Sequence, residues 1–378
     1  MQEANELAER LPRSLFESAA TIGVIEPAAV DITITYAQNI VRRSYYDCRL
    51  TAKDLFPPDL RSLMYLGQKA TVALILCRHP DYQAYAHWYL NRLAEAKDPI
   101  ALIYVLSRQI NSGNLKSTVL IDHLAEVAQR QFYDAMVLYG RVLHEKYNRT
   151  DEALLLWKKA MDTAEYIPRG KSGRFYTNQF NLTISHAWEM YASVKAEQGD
   201  TKSALEAVKD GAFNLGDPEA FKILAKSVGS EGRLDEYEDY MTKAAMAADA
   251  EACHDLGSFY LELYYHGKYR GKAPSKRNGE SRKDQFCKRY TINRHLRLKA
   301  MDWLDVACEG GWGPSALLMA ALVREDGELD EGDGYLKVAE EDKKTAKRAK
   351  HMRPIYKDLG FQIFIDRELL DKQLAGVN

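Results

Sequence analysis

His186 and Glu189 stand three residues apart, a spacing that sets two side chains together on one helical face and lets a carboxylate orient an imidazole as a base. The same spacing is far more common as a surface hydrogen bond. No G-x-S-x-G turn and no Cys–His context accompanies it. Gly267–Ala273 (GKYRGKA) has the outline of a phosphate loop. It is one residue short between its glycines and carries Ala273 where a hydroxyl must reach magnesium. Gly170-Lys171-Ser172 ends correctly, but Glu165 occupies the required upstream glycine position. His144-Glu145 is followed by Tyr147 and Asn148, so no H-E-x-x-H pair can hold zinc on one helix. Cys48, Cys77, Cys253, Cys287 and Cys308 form no C-x-x-C pair and no even framework. These patterns predict no enzyme, no cofactor and no metal site.

The composition bounds the remaining function classes. The 378 residues carry 52 Lys and Arg against 54 Asp and Glu, a net charge of −2 that excludes a uniformly basic nucleic-acid coat. Hydrophobic residues at 46% supply a core. The most apolar stretch, Ala70–Cys77, is eight residues and far short of the roughly 20 residues that span a bilayer, so no membrane span is expected. The N-terminal MQEANELAER carries three Glu and resembles neither a secretory signal nor an Arg-rich leader. Reduced, scattered cysteines fit an intracellular, soluble chain. The cytoplasm is expected, or the mitochondrial matrix if a cleaved leader preceded this sequence.

The positions of the alanines are periodic. An alanine with an apolar residue at +4 and a small or apolar one at +5 recurs at Ala101, Ala135, Ala187, Ala220, Ala252 and Ala316, with intervals of 34, 52, 33, 32 and 64 residues. Gly113, Gly199 and Gly232 fall twelve residues after three of these anchors, where a left-handed helix end is expected. Asp98-Pro99, Asp217-Pro218 and Gly313-Pro314 precede three anchors, as suits a helix start. A second amphipathic run follows each glycine, for example Tyr237, Met241 and Ala244. A stack of helix pairs with a period near 33 residues accounts for all of these phases.

Lys299-Ala300-Met301-Asp302-Trp303 through Ala307, with Gly310, Gly311 and Ala316, resembles the Sel-like repeat pattern K-A-x-x-W-x-x-x-A-x-x-G-x-x-x-A. Ala252 to Tyr260 resembles its opening A-x-x-x-L-G-x-x-Y, and Glu152-Ala153, Trp157 and Ala160 match its second helix. The period itself is closer to the tetratricopeptide repeat. The resemblance implies an all-α, right-handed α-solenoid of antiparallel helix pairs, and a protein-interaction scaffold. It covers residues 84–342. Residues 1–83 and 343–378 are expected to be helical caps over the two ends of the array. Two loop insertions interrupt it, 167–182 and 266–296. The second carries ten Lys and Arg against Glu280 and Asp284.

In the tetratricopeptide register, groove-facing positions include Arg141, His144, His186, Glu189, Lys222, Lys226 and His254. Lys222 and Lys226 are expected to hold an acidic peptide or surface. No anchor carries the Asn at +6 that the chaperone-binding subset of that family uses. Lys272, Lys276, Arg277, Arg282 and Lys283 are the expected contacts of the basic insertion. The leading expectation is a non-enzymatic adaptor that assembles a multiprotein complex. The alternative is an RNA-associated or ribonucleoprotein assembly factor, with Tyr264, Tyr265, Tyr269, Phe286 and Tyr290 stacking among the basic residues.

Overall fold

All six anchor alanines, Ala101, Ala135, Ala187, Ala220, Ala252 and Ala316, are fully excluded from water. Ala101, Ala135, Ala220, Ala252 and Ala316 lie in the first helix of a packed pair, where a larger side chain would hold the two helices apart. The computed structural model describes residues 2–46, 66–115, 117–164, 185–270 and 293–358. Among the described residues every regular element is helical.

The chain divides into two compact units, Met1–Ala204 and Leu205–Asn378. The first holds α1 (Gln2–Glu9), α2 (Arg13–Thr21), α3 (Val30–Tyr46), α4 (Leu66–Leu76) and α5 (Gln83–Glu95). It continues with α6 (Pro99–Asn111), α7 (Thr118–Gln129), α8 (Tyr133–Glu145), α9 (Thr150–Ala164) and α10 (Ala187–Glu197). The division falls inside α11 (Thr201–Lys209). The second unit then holds α12 (Pro218–Ser230), α13 (Leu234–Ala245), α14 (Ala250–Arg270) and α15 (Asn293–Glu309). It ends with α16 (Gly313–Glu325), α17 (Leu329–Glu341) and α18 (Ala346–Met352).

Within the units, α6 packs on α7, α8 on α9, α12 on α13, α14 on α15 and α16 on α17. Where the turn between partners is only a few residues long, it forces them to run antiparallel. The glycines end the first helices as their spacing predicts, with φ of 68° at Gly113, 78° at Gly199 and 73° at Gly232. After Gly113, the Asn114 N–H donates back to the Gln109 carbonyl at 2.8 Å, closing the helix end on itself. Asn148 takes the same left-handed role after α8, with φ of 54°. Asparagine tolerates that conformation, which is why this repeat lacks the glycine.

The Asp-Pro pairs start helices. The Asp98 carboxylate accepts from the Ala101 N–H at 2.9 Å, and the Asp217 carboxylate from the Glu219 N–H at 3.1 Å. Asp249, also three residues before its anchor, accepts from the Ala252 N–H at 2.7 Å. Gly313-Pro314 differs: Trp312 precedes α16 without a side-chain cap.

At the start of the first unit, the Tyr82 hydroxyl donates to the Leu7 carbonyl at 3.2 Å, and Tyr36 shares a hydroxyl hydrogen bond with Tyr89 in the core. At the end of the second, Tyr356 is buried, and its hydroxyl donates to the Ala320 carbonyl at 2.5 Å. Gly332 leaves the room that this ring fills, because a methyl group there would overlap the Tyr356 hydroxyl. The expected capping helix over 355–374 lies mostly outside the described residues. So do insertion 167–182 and most of insertion 266–296, although α14 runs on to Arg270 and α15 begins at Asn293.

Replacing Ala220 or Ala252 with Leu overpacks a closed helix contact and is expected to cost roughly 1–3 kcal/mol. A chemical-denaturation midpoint left unchanged in both variants would contradict their burial.

Candidate functional site

The first helices of neighbouring pairs are tied to one another through the positions that the repeat register sets on their shared face. In the second unit, Lys222 of α12 reaches across to the start of α14. Its ammonium donates to the Glu251 carboxylate at 2.7 Å and lies 3.4 Å from Asp249. Glu219, one turn earlier on α12, is 2.6 Å away. Only 3% of Lys222 is exposed. Burial pulls this ammonium toward its neutral form, but the hydrogen bonds to Glu219 and Glu251 and the charge of Asp249 outweigh it, and the pKa ends above the usual lysine value. The hydrogen bond from Lys222 in turn holds the Glu251 carboxyl below the usual carboxylate range.

The next tie joins α14 to α16. His254 Nδ1 and Ser315 Oγ are 2.9 Å apart in a buried contact, and the imidazole lies 6.3 Å from the Trp312 ring. Burial lowers the His254 pKa to about 4, against a small upward pull from Glu251. The ring therefore stays neutral at physiological pH and joins two helices.

Lys226 is different. It is 55% exposed, and its ammonium lies 3.7 Å from both Glu251 and Asp255, beyond hydrogen-bonding distance. The α12–α14 face thus sets Lys222 and Lys226 against Glu219, Asp249, Glu251 and Asp255. It is net acidic.

In the first unit the same positions serve the same end. Arg141 of α8 donates to Asn111 at the end of α6 at 2.8 Å and to Glu145 at 2.6 Å. The Tyr133 hydroxyl of α8 accepts from the Ala187 N–H that opens α10, at 3.3 Å. His144 lies 3.1 Å from the Thr150 hydroxyl and edge-on to Trp157. His186 and Glu189 form a helix start, in which the Glu189 carboxylate accepts from the His186 backbone N–H at 3.3 Å. That pair is a cap and holds no acid–base geometry.

Two expectations are corrected here. An acidic peptide gripped by Lys222 does not fit, because that ammonium is buried and already satisfied by three carboxylates. His254 is closed off from solvent and cannot meet a partner. His186, half-buried, and Glu189, exposed, order the first turn of α10. Lys226 and, in part, Arg141 remain on open surface. Lys272, Lys276, Arg277, Arg282 and Lys283 lie outside the described residues.

Sequence reasoning passed over Asp249, Asp255 and Ser315. The signal for Asp249 was present, since Asp98, Asp217 and Asp249 all stand three residues before an anchor. Among the described residues no group of three His, Cys, Asp or Glu side chains could hold a metal ion, and no helix is long and apolar enough to cross a membrane. No known protein family matches the sequence, and no curated protein is significantly similar to it.

Proposed function

We propose that this chain is a non-enzymatic scaffold that holds other proteins together through the face formed by its first helices. The observation that carries this reading is the row of ties between neighbouring first helices, Lys222 to Glu251 and His254 to Ser315 in one unit and Arg141 to Asn111 in the other. Such ties keep a polar surface rigid over several helices, and a rigid surface loses little entropy when a partner docks. On the α12–α14 face the exposed charges are Glu219, Glu251 and Lys226, and the sum favours a basic segment of the partner over an acidic one.

Co-purification of the tagged chain from native extract, with and without nuclease, tests the scaffold. Lys226→Gln tests the charge, because it removes the one loosely held cation from this face and disturbs no hydrogen bond. A basic partner is expected to be recovered in greater yield by the variant, and more so at low salt. Lower recovery would make Lys226 a contact for an acidic partner and overturn the charge assignment. Partners lost to nuclease alone would replace the scaffold with an RNA-associated role.

A further inference from the structure

Arg108 in the first unit lacks a carboxylate partner among the described residues. Its guanidinium is turned inward over the Tyr104 ring, 5.7 Å from the centroid, and donates to the Tyr104 hydroxyl at 3.3 Å and to His87 Nε2. His87 Nε2 lies 3.0 Å from that same hydroxyl, which is also 3.6 Å from the Cys77 sulfur. Three helices build this niche: α4 leads into Cys77, α5 carries His87, and α6 carries Tyr104 and Arg108 one turn apart. Tyr104 is buried, His87 and Cys77 are half-buried, and Arg108 is exposed.

The charge here is unbalanced. Elsewhere among the described residues Arg13, Arg92, Arg149, Arg233 and Arg353 each sit against a carboxylate. Arg108 instead spends its donors on an imidazole and a phenol, which supply no negative charge. The exposed guanidinium and the imidazole, once protonated, are donors set side by side from two helices, and the buried Tyr104 hydroxyl lies behind them, donating to Cys77. A carboxylate would be satisfied by the guanidinium fork alone, whereas a phosphoryl group offers three acceptor oxygens and nearly two charges. We infer that Arg108, His87 and Tyr104 form a binding site for a phosphate monoester, borne either by a small molecule or by a phosphorylated side chain of a partner. Binding swings Arg108 from His87 onto the phosphoryl oxygens and frees His87 Nε2 to donate once protonated. The Cys77 thiol lines the floor; burial raises its pKa to about 11, so it stays protonated and takes no covalent part.

The groups that face His87 are Arg108 and Tyr104 from α6 and Cys77 from the turn after α4. Burial first, and then the Arg108 charge, holds the imidazole pKa below its ordinary value, so the free site is neutral at His87 near pH 7. A bound dianion cancels the Arg108 charge and gives the imidazolium an acceptor. The His87 pKa therefore rises on binding, and affinity must strengthen as pH falls from about 8 toward 6.5, while the monoester keeps most of its second charge.

The test is NMR of the full chain with 13C-labelled histidine, titrated with inorganic phosphate, phenyl phosphate and a capped phosphoserine peptide at pH 6.5 and 8. All three probes are expected to shift the His87 resonance, with tighter binding at pH 6.5. Arg108→Gln, at an exposed position, is expected to weaken binding about tenfold or more. His87→Gln is expected to keep binding at pH 8 and to lose the pH dependence. Phenyl phosphate binding as tightly as the peptide identifies a small-molecule ligand, and preference for the peptide identifies a modified partner. An unmoved His87 signal at saturating phosphate, or undiminished binding in Arg108→Gln with the fold intact, overturns the site.

Discussion

Trp157→Ala is expected to destabilise the first unit by about 3–5 kcal/mol, as removal of a fully buried aromatic side chain does. Trp157 is completely enclosed, and its indole N–H donates to the Val137 carbonyl at 3.0 Å, so the variant loses a packed ring together with its hydrogen bond. The ring fits because Gly140 faces it. A methyl group built on Gly140 would overlap the indole nitrogen. Gly140→Ala alone is therefore expected to cost roughly 1–3 kcal/mol by pushing the ring off its hydrogen bond. With the ring already gone the extra methyl meets empty space, so the Gly140→Ala, Trp157→Ala double variant must be less destabilised than the two single losses together. Urea midpoints read all three. Additive losses would mean that the glycine and the tryptophan do not share one contact.

Lys222→Met is the second large effect. It removes the cation from between Glu219, Asp249 and Glu251 and leaves three carboxylates facing one another. Loss of one partner of a buried ion pair costs about 3–5 kcal/mol. Here Glu219 and Glu251 are 59% and 41% exposed, so water screens part of their repulsion and about 2–3 kcal/mol is expected at neutral pH. The sign with pH follows from Glu251, whose carboxyl is held below the ordinary 4.5 in the folded chain. Its pairing contributes stability above the unfolded value, and that contribution is lost as pH falls through the lower, folded value. In acid the carboxylates protonate in both proteins, and the variant's deficit shrinks. Denaturation midpoints at pH 7 and near pH 4 test this directly; a deficit equal at both would show that Lys222 acts through packing of its stem and not through charge.

The helix pairs were legible in the residue order because their signals are local. A small residue at each crossing, glycine at a left-handed helix end and aspartate ahead of the first N–H groups depend on backbone geometry within a few residues. They recur with the repeat, so Ala101, Ala135, Ala187, Ala220, Ala252 and Ala316 could be found without any knowledge of what they touch. Gly140 and Gly257 illustrate the limit of that information. Their place five residues after an anchor was evident, but only the packed structure shows that one faces Trp157 and the other Leu304.

Side-chain roles on the shared face were decided by tertiary structure. The register named Arg141, Lys222 and His254 as facing a groove, and each instead meets a residue about thirty or more positions away: Asn111, Glu251 and Ser315. Periodicity specifies the face of a helix on which a residue lies. It cannot specify how far the next helix stands from that face, and that distance determines whether a lysine meets a partner's carboxylate or one of its own. The cluster around Arg108 was invisible for the same reason: Cys77, His87, Tyr104 and Arg108 share no sequence spacing that marks chemistry, and only the packing of three helices brings them into contact.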